Sequence, residues 1–292
     1  MLNHLPNWMS LLKDDVPIRF ISMPGTHDSC AIEGCLSWYN RAWSIYVYTQ
    51  NMPLKTQLEN GIRYLDIRVR RFNNTFTIHH GKCYLHTNFE EILKVISHFL
   101  AENQTETILM RIREEQPPNR GNKKKFCDIL TDYRNRYNEF FWYPSSNNPF
   151  LGECRRKIVI LQNFDSHCFQ NPNEYEANIF GLDYRSFNNQ DNYEPKTINE
   201  KKISIRQKYE EAAYEGAHSI INHLSGREGR LGTPVAFAIT TNHFMFNLLH
   251  NDNLLGNKHY IGIVPIDFVK LYYKKHVSDQ DLIIKIIECN FL

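Results

Sequence analysis

Five residues of this 292-residue chain carry chemistry that a packed core does not need: His27, Asp28, Arg68, His80 and Asp267. Two imidazoles that titrate near neutrality can act as base and acid on opposite sides of one phosphorus. Each needs a carboxylate to fix its tautomer and steady its charged form, and Asp28 and Asp267 are the candidates. A guanidinium offers phosphate oxygens a planar fork and can hold charge that develops in a transition state. Together these are the parts for taking a proton from a hydroxyl so that it attacks a neighbouring phosphodiester. The competing reading is structural, because a histidine at a strand end is more often packed than catalytic.

The elements that would position these groups follow from periodicity. Strand side chains alternate faces. Residues 19–23 read as a first strand stopped by Pro24-Gly25, with His27 and Asp28 just beyond. Residues 62–70 read as a second, with Asp66, Arg68 and Arg70 on one face and Leu65, Ile67 and Val69 on the other. In residues 76–80, His80 shares a face with Ile78 while His79 points the opposite way and reads as packed. Residues 107–112, 157–161 and 261–267 are further strands, the last ending on Asp267. Thr87 to Glu90 has the form of a capping box. Behind it Phe89, Ile92, Leu93, Ile96, Phe99 and Leu100 recur at helical spacing. Residues 201–224 read as one long helix, and residues 116–122, 144–149 and 188–192 as loops. Strands alternating with helices predict a parallel α/β sheet, open or closed into a barrel, with the chemical residues at the C-terminal strand ends. No repeat or linker divides the chain, so residues 1–292 read as a single domain.

Composition narrows the function classes. The net charge is only +2, from 34 Lys+Arg against 32 Asp+Glu, and lacks the basic bias of a nucleic-acid binder. No stretch approaches the roughly 18 apolar residues of a membrane span, and no signal peptide is visible. The seven cysteines cannot all pair. A reduced, cytoplasmic setting is the simpler reading, with a few disulfides, or a secreted protein that has lost a leader, as the alternatives. His79, His80 and His86 with Cys30, Cys35 and Cys83 fit no common zinc spacing, so the chain is read as holding no metal and no cofactor. Ser29 lacks a nucleophile elbow and reads as a capping hydroxyl.

Four motifs in order carry a family likeness: Ser22-Met23-Pro24-Gly25-Thr26-His27-Asp28-Ser29, then the stretch from Gln57 to Arg68, then Ile78-His79-His80-Gly81, then Gly262 to Phe268. With Thr105 to Glu115 they resemble the catalytic X domain of phosphatidylinositol-specific phospholipase C, bacterial type. The resemblance implies an irregular (β/α)8 TIM-type barrel with its site at the C-terminal mouth. It implies cleavage of phosphatidylinositol, or its glycosylated anchors, to diacylglycerol and inositol 1,2-cyclic phosphate. It makes His27 the general base supported by Asp267, His80 the general acid supported by Asp28, and Arg68 the phosphate ligand. Asp66, Arg113, Asp191 and Tyr193 become head-group contacts. The aromatic segment with Trp38 and Trp43 reads either as core packing or, where the family places such residues, as a rim in the membrane interface of a peripheral enzyme; the chain is read as a monomer.

Two departures matter. Where well-known bacterial sequences carry an inositol-contacting arginine, this chain has Leu161-Gln162-Asn163-Phe164, so that contact is missing or supplied otherwise. The calcium-dependent relatives have Asn for Asp28 and an acidic residue for Arg68. This chain has neither, which argues for metal-independent chemistry. Rival readings are another barrel phosphodiesterase, glycerophosphodiesterase-like or sphingomyelinase-D-like, and a non-catalytic phosphoinositide-binding module.

Overall fold

A computed structural model describes residues 5–32, 44–164, 180–229, 232–254, 260–269, 272–274 and 277–291. Trp38, Tyr39 and Trp43 lie outside them. In chain order the elements are β1 (Met23–Thr26), α1 (Ser44–Val47), α2 (Leu54–Glu59), β2 (Tyr64–Phe72), β3 (Thr75–His80), β4 (Cys83–Asn88), α3 (Phe89–Glu102) and β5 (Ile108–Gln116). Next come α4 (Phe126–Arg136), α5 (Leu151–Cys154), β6 (Ile158–Asn163), β7 (Gly181–Asp183), β8 (Asn188–Gln190), α6 (Ile198–Ala213), β9 (Ile220–Asn222), α7 (Pro234–Leu254), β10 (Ile263–Ile266) and α8 (Asp279–Glu288).

One sheet runs β7-β6-β5-β2-β1-β10-β9-β8, with every pair along the path parallel. Its two end strands, β7 and β8, are consecutive in sequence but pair only with other strands among the described residues. The sheet is therefore curled into an irregular, incompletely closed barrel. Parallel strands covered on both faces need continuous apolar runs, and β1, β9 and β10 are buried along their whole length. The amphipathic α3 buries the six apolar residues its spacing picks out.

Four expectations change. First, the strand expected over residues 19–23 is displaced: Ile18–Phe20 forms a 3-10 turn, and β1 begins at Met23 and runs through Pro24-Gly25. Proline removes a ladder donor, and the Gly61 carbonyl on that side is taken by the Trp8 indole Nε1–H at 3.0 Å. Gly25 is required because a Cβ there would lie 2.6 Å from the Tyr64 ring. Second, residues 201–224 hold most of α6 and then β9. The chain turns between them through Gly216, at φ +68°, a value that favours glycine. Third, Asn188 to Gln190 is a strand and not a loop. Fourth, the cap of α3 is Asn88, whose side chain accepts from the Glu91 N–H, one residue later than the Thr87 box. In the helix α7 polar and apolar residues are spread around the circumference, with Thr241 and Asn242 buried, so it gives no periodic signal.

The cysteines also depart from the reduced reading. Cys83 and Cys127 are each disulfide-bonded, while Cys30, Cys154 and Cys289 are buried free thiols. At the N-terminal end of the barrel Arg63 is fully buried against Glu106, with Nε donating at 2.9 Å. Its remaining N–H groups reach the carbonyls of Leu58, Ile62, Leu5 and Pro6.

Candidate active site

The C-terminal mouth collects side chains from β1, β2, β3, β10 and the segment after β8. At the end of β1 the chain turns sharply, and Asp28 sits at φ +42°. Such strained positions persist only where the surroundings over-determine them. Here the Thr49 hydroxyl holds the Asp28 carbonyl at 3.1 Å, and Gln50 Nε2 holds the His27 carbonyl at 2.8 Å. Ser29 is engaged in the same turn. Its hydroxyl accepts from the Asp66 N–H and donates to the Thr26 carbonyl.

His27 has one tautomer open to it. Arg68 can only donate, so the 2.8 Å contact from its NH2 makes His27 Nε2 an acceptor. The ring proton therefore sits on Nδ1, facing Asp267 Oδ1 at 2.8 Å. Burial and the adjacent Arg68 hold the His27 pKa well below the ordinary imidazole value, so its lone pair is available. Burial, followed by the nearby Asp28 charge, pushes Asp267 upward.

His80 is held at the same ring nitrogen. Its Nδ1 faces the Val47 carbonyl at 2.9 Å and Asp28 Oδ2 at 3.3 Å. Nδ1 therefore carries a proton, and Nε2 is left for a ligand. His80 does not end a barrel strand, as its position in sequence suggested. It ends β3, a strand of the β3–β4 hairpin that runs antiparallel to β2 with Ile78 opposite Val69. The reversal returns His80 to the level of the mouth. His79 does face away: its Nε2 meets Thr77 Oγ1 at 3.1 Å and its ring lies against Tyr84.

Arg68 sits among three carboxylates. Its Nε lies 2.7 Å from Asp28 Oδ1, its NH2 3.3 Å from Asp66 Oδ2, and its NH1 3.5 Å from Glu115 Oε1. Burial alone would lower its pKa, but these carboxylates raise it well above the free value. Asp66 is held low despite burial because Arg111 and Arg68 flank it. Burial pushes Asp28 up to about 6 against the pull of Arg68 and His80. Among the described residues no group of three or more His, Cys, Asp or Glu is arranged to hold a metal ion.

Of the other expected contacts, Tyr193 lies with its ring 5.4 Å from that of His27, and Asp191 stands at the open edge of the mouth. Arg113 is nearly half exposed and paired with Glu115. Sequence reasoning missed Glu115, Arg111, His223 and Lys201. Arg111 carried a usable signal, because it lies two residues before Arg113 and therefore on the same strand face.

The likeness to known proteins agrees with this geometry. Residues 22–164 match the model of the phosphatidylinositol-specific phospholipase C X domain. The 1-phosphatidylinositol phosphodiesterase of Listeria monocytogenes is 30% identical over 268 residues, covering 89% of this chain and 80% of that protein. The chain belongs to the phosphatidylinositol-specific phospholipase C X-domain family. The solved phospholipase C from L. monocytogenes superposes with a TM-score of 0.80 at 28% identity, over 99% of this chain and 100% of that one. A Staphylococcus aureus member of the family superposes at 0.83 with 23% identity over 97% of each chain and supports the fold alone. The irregular barrel expected from the family is the fold found.

Proposed function

We propose that the chain is a phosphatidylinositol-specific phospholipase C working as a metal-independent lyase, its catalytic domain spanning residues 1–292. The observation that carries this is the pair of imidazoles, each held at Nδ1 by acceptors, that flank one guanidinium. His27 Nε2 takes the proton of the inositol 2-hydroxyl, and the oxygen attacks phosphorus. The bond from phosphorus to the diacylglycerol oxygen breaks, and His80, which enters the step as the imidazolium paired with Asp28, gives its Nε2 proton to that oxygen and is left neutral. The products are diacylglycerol and inositol 1,2-cyclic phosphate. Arg68 is the phosphate ligand; as it turns to the phosphate it releases the His27 lone pair. Asp267 steadies the imidazolium formed at His27, and Asp28 holds His80. Asp66, Arg113, Asp191 and Tyr193 contact the head group.

Metal independence is supported by Arg68 filling the space among Asp28, Asp66 and Glu115 that a divalent cation would need. The same point weighs against the cation-dependent phosphodiesterase readings. In this reading the enzyme acts on its lipid at the membrane surface, as a monomer and without a nucleic-acid partner; no described helix is long and apolar enough to cross a membrane. The disulfide-bonded Cys83 and Cys127 favour an oxidising compartment over the cytoplasm. Phosphorus NMR of phosphatidylinositol vesicles in excess chelator is the deciding measurement. A cyclic phosphodiester resonance should grow in; turnover lost in chelator and restored by calcium would refute the proposal.

A further inference from the structure

Acid–base chemistry leaves two buried donors in the mouth unused. Arg111 rises on β5 beside Asp66, its register partner on β2. Its Nε and NH2 bind Asn163 Oδ1 at 3.0 and 2.8 Å, and its plane lies over the Tyr184 ring at 4.2 Å. These contacts fix the direction of the fork. The remaining nitrogen, NH1, lies 3.6 Å from Asp66 Oδ2 and 3.9 Å from Asp191 Oδ2, and it makes no hydrogen bond.

His223, just past β9, is the second. Asn189 Nδ2 donates to the Tyr184 hydroxyl at 2.8 Å, and that hydroxyl lies 3.2 Å from His223 Nε2. When that hydroxyl donates to Nε2 the ring hydrogen is on Nδ1, and in either tautomer Nδ1 has no partner. The ring is neutral, since burial brings its pKa down to about 4. It stands edge-on to His27 at 6.1 Å, and Asp191 is the charge that acts on it most strongly. Below Asp191, the buried Lys201 ties Gln190 Oε1 and the Asn192 carbonyl together and so fixes the segment that carries this carboxylate.

A purely structural buried arginine resembles Arg63, which has a partner for every N–H. Leaving NH1 and Nδ1 unmet is costly, and that cost is recovered where a ligand supplies the acceptors. We propose that Arg111 and His223 are the donor side, and Asp191 the acceptor, of a subsite that reads ring hydroxyls of a polyol head group. Adjacent ring hydroxyls accept from one side and donate to the other, which suits a guanidinium N–H beside a carboxylate. Arg111 thereby supplies from β5 what Asn163 on β6 does not. The inference rests on the lyase reading and deepens it by naming the residues that select the head group.

The test is calorimetric binding of free myo-inositol to the full chain, with the melting temperature followed in parallel. Arg111→Gln should weaken binding on the order of tenfold or more, and Arg111→Lys should not restore it, because an ammonium cannot hold Asn163 and read a hydroxyl together. In turnover, Arg111→Gln should raise KM for phosphatidylinositol more than it lowers kcat. Its penalty should shrink on an analogue that keeps the 2-hydroxyl but lacks a hydroxyl that Arg111 reads. Wild-type inositol affinity in Arg111→Gln, or equal penalties on every deoxy analogue, would overturn the proposal. Should Arg111→Gln fail to fold, His223→Gln and Asp191→Asn take its place, and unchanged affinity in both is equally fatal. Inositol binding is read without turnover. Inositol bound through Arg111 with no diacylglycerol released would therefore refute the lyase reading alone.

Discussion

Arg63 and Arg68 lie five positions apart, both buried, both against carboxylates, at opposite ends of one barrel. At the closed end Arg63 pairs with Glu106, and its other N–H groups end on backbone carbonyls. At the mouth Arg68 is shared among Asp28, Asp66, Glu115 and the His27 ring, and the polar ledger stays open. Asp28 Oδ2, Asp66 Oδ1, Glu115 Oε2 and Asp267 Oδ2 are buried without a hydrogen bond. Both ends bear the desolvation cost of charge. Only the first has recovered it within the fold. A saturated buried ion pair is a strut, whereas an unsaturated one is a site waiting for the atoms that complete it.

The largest test of that contrast is at the mouth. His27→Ala and His80→Ala should each lose on the order of 100- to 10,000-fold in kcat, the usual contribution of a general acid or base. The two losses should not add fully, since both act in one transition state. A nitrophenyl inositol phosphate separates them. Its leaving group needs little protonation, so His80→Ala should recover most of its rate while His27→Ala stays inactive. The reverse order would exchange the assigned roles, and equal recovery would remove them.

Exchanging the two arginines tests the comparison directly. Arg68→Lys should lose on the order of 100- to 1,000-fold in rate with little change in melting temperature, because an ammonium cannot present the two-pronged contact. Arg63→Met should do the opposite. It strands Glu106 in a dry environment at a cost of about 3–5 kcal/mol, while the molecules that remain folded turn over normally. Thermal melts beside active-site titration report both quantities. A stability loss at Arg68 matching that at Arg63 would erase the distinction drawn here.

The pH dependence of Asp28 gives a smaller effect with a definite sign. Its pKa is raised from 3.8 to about 6, chiefly by burial, so the folded chain binds this proton more tightly than the unfolded one. The stability it contributes is complete below about pH 4 and is lost as pH rises through 6. Activity should run the other way, because the ionised carboxylate is what holds His80 and Arg68. Rate should therefore climb about tenfold per unit below pH 6 and then level. In Asp28→Asn both that limb and the opposing stability change should vanish. A limb that survives the substitution belongs to another group.

How much of this was legible in the sequence depends on which force decided each element. The alternation in β2 places Asp66 and Arg68 on the inward face, and local spacing suffices because one face is polar. The β3 histidines follow the same rule. The helix α7, which buries Thr241 and Asn242 among its apolar residues, carries no period to read. Residues 201–224 look helical throughout because the turn at Gly216 is a matter of one backbone angle. The strand β1 is masked by Pro24, whose missing donor is compensated by Trp8, a residue distant in sequence. Arg111 was readable by face but gains its meaning only from Asn163, Tyr184 and Asp191, which three other segments bring to it.

His79 is the smallest predicted effect and the cleanest check on the facing argument. It is the immediate neighbour of His80, carries the same imidazole, and is buried. Its Nε2 is committed to Thr77 and its ring packs on Tyr84, on the side of the hairpin away from Arg68. His79→Ala removes an imidazole one position from the assigned acid without touching phosphate, His27 or Asp28. Packing and one hydrogen bond are lost, so the melting temperature should fall by a few degrees, about 1 kcal/mol of stability. The kcat should stay within about threefold of wild type, and nitrophenyl substrate should give no rescue because nothing chemical is missing. A loss comparable to that of His80→Ala would mean that the β3 hairpin presents its other face to the substrate. The pairing of Ile78 with Val69, which sets the direction of both histidines, would then be the first feature of this structure to discard.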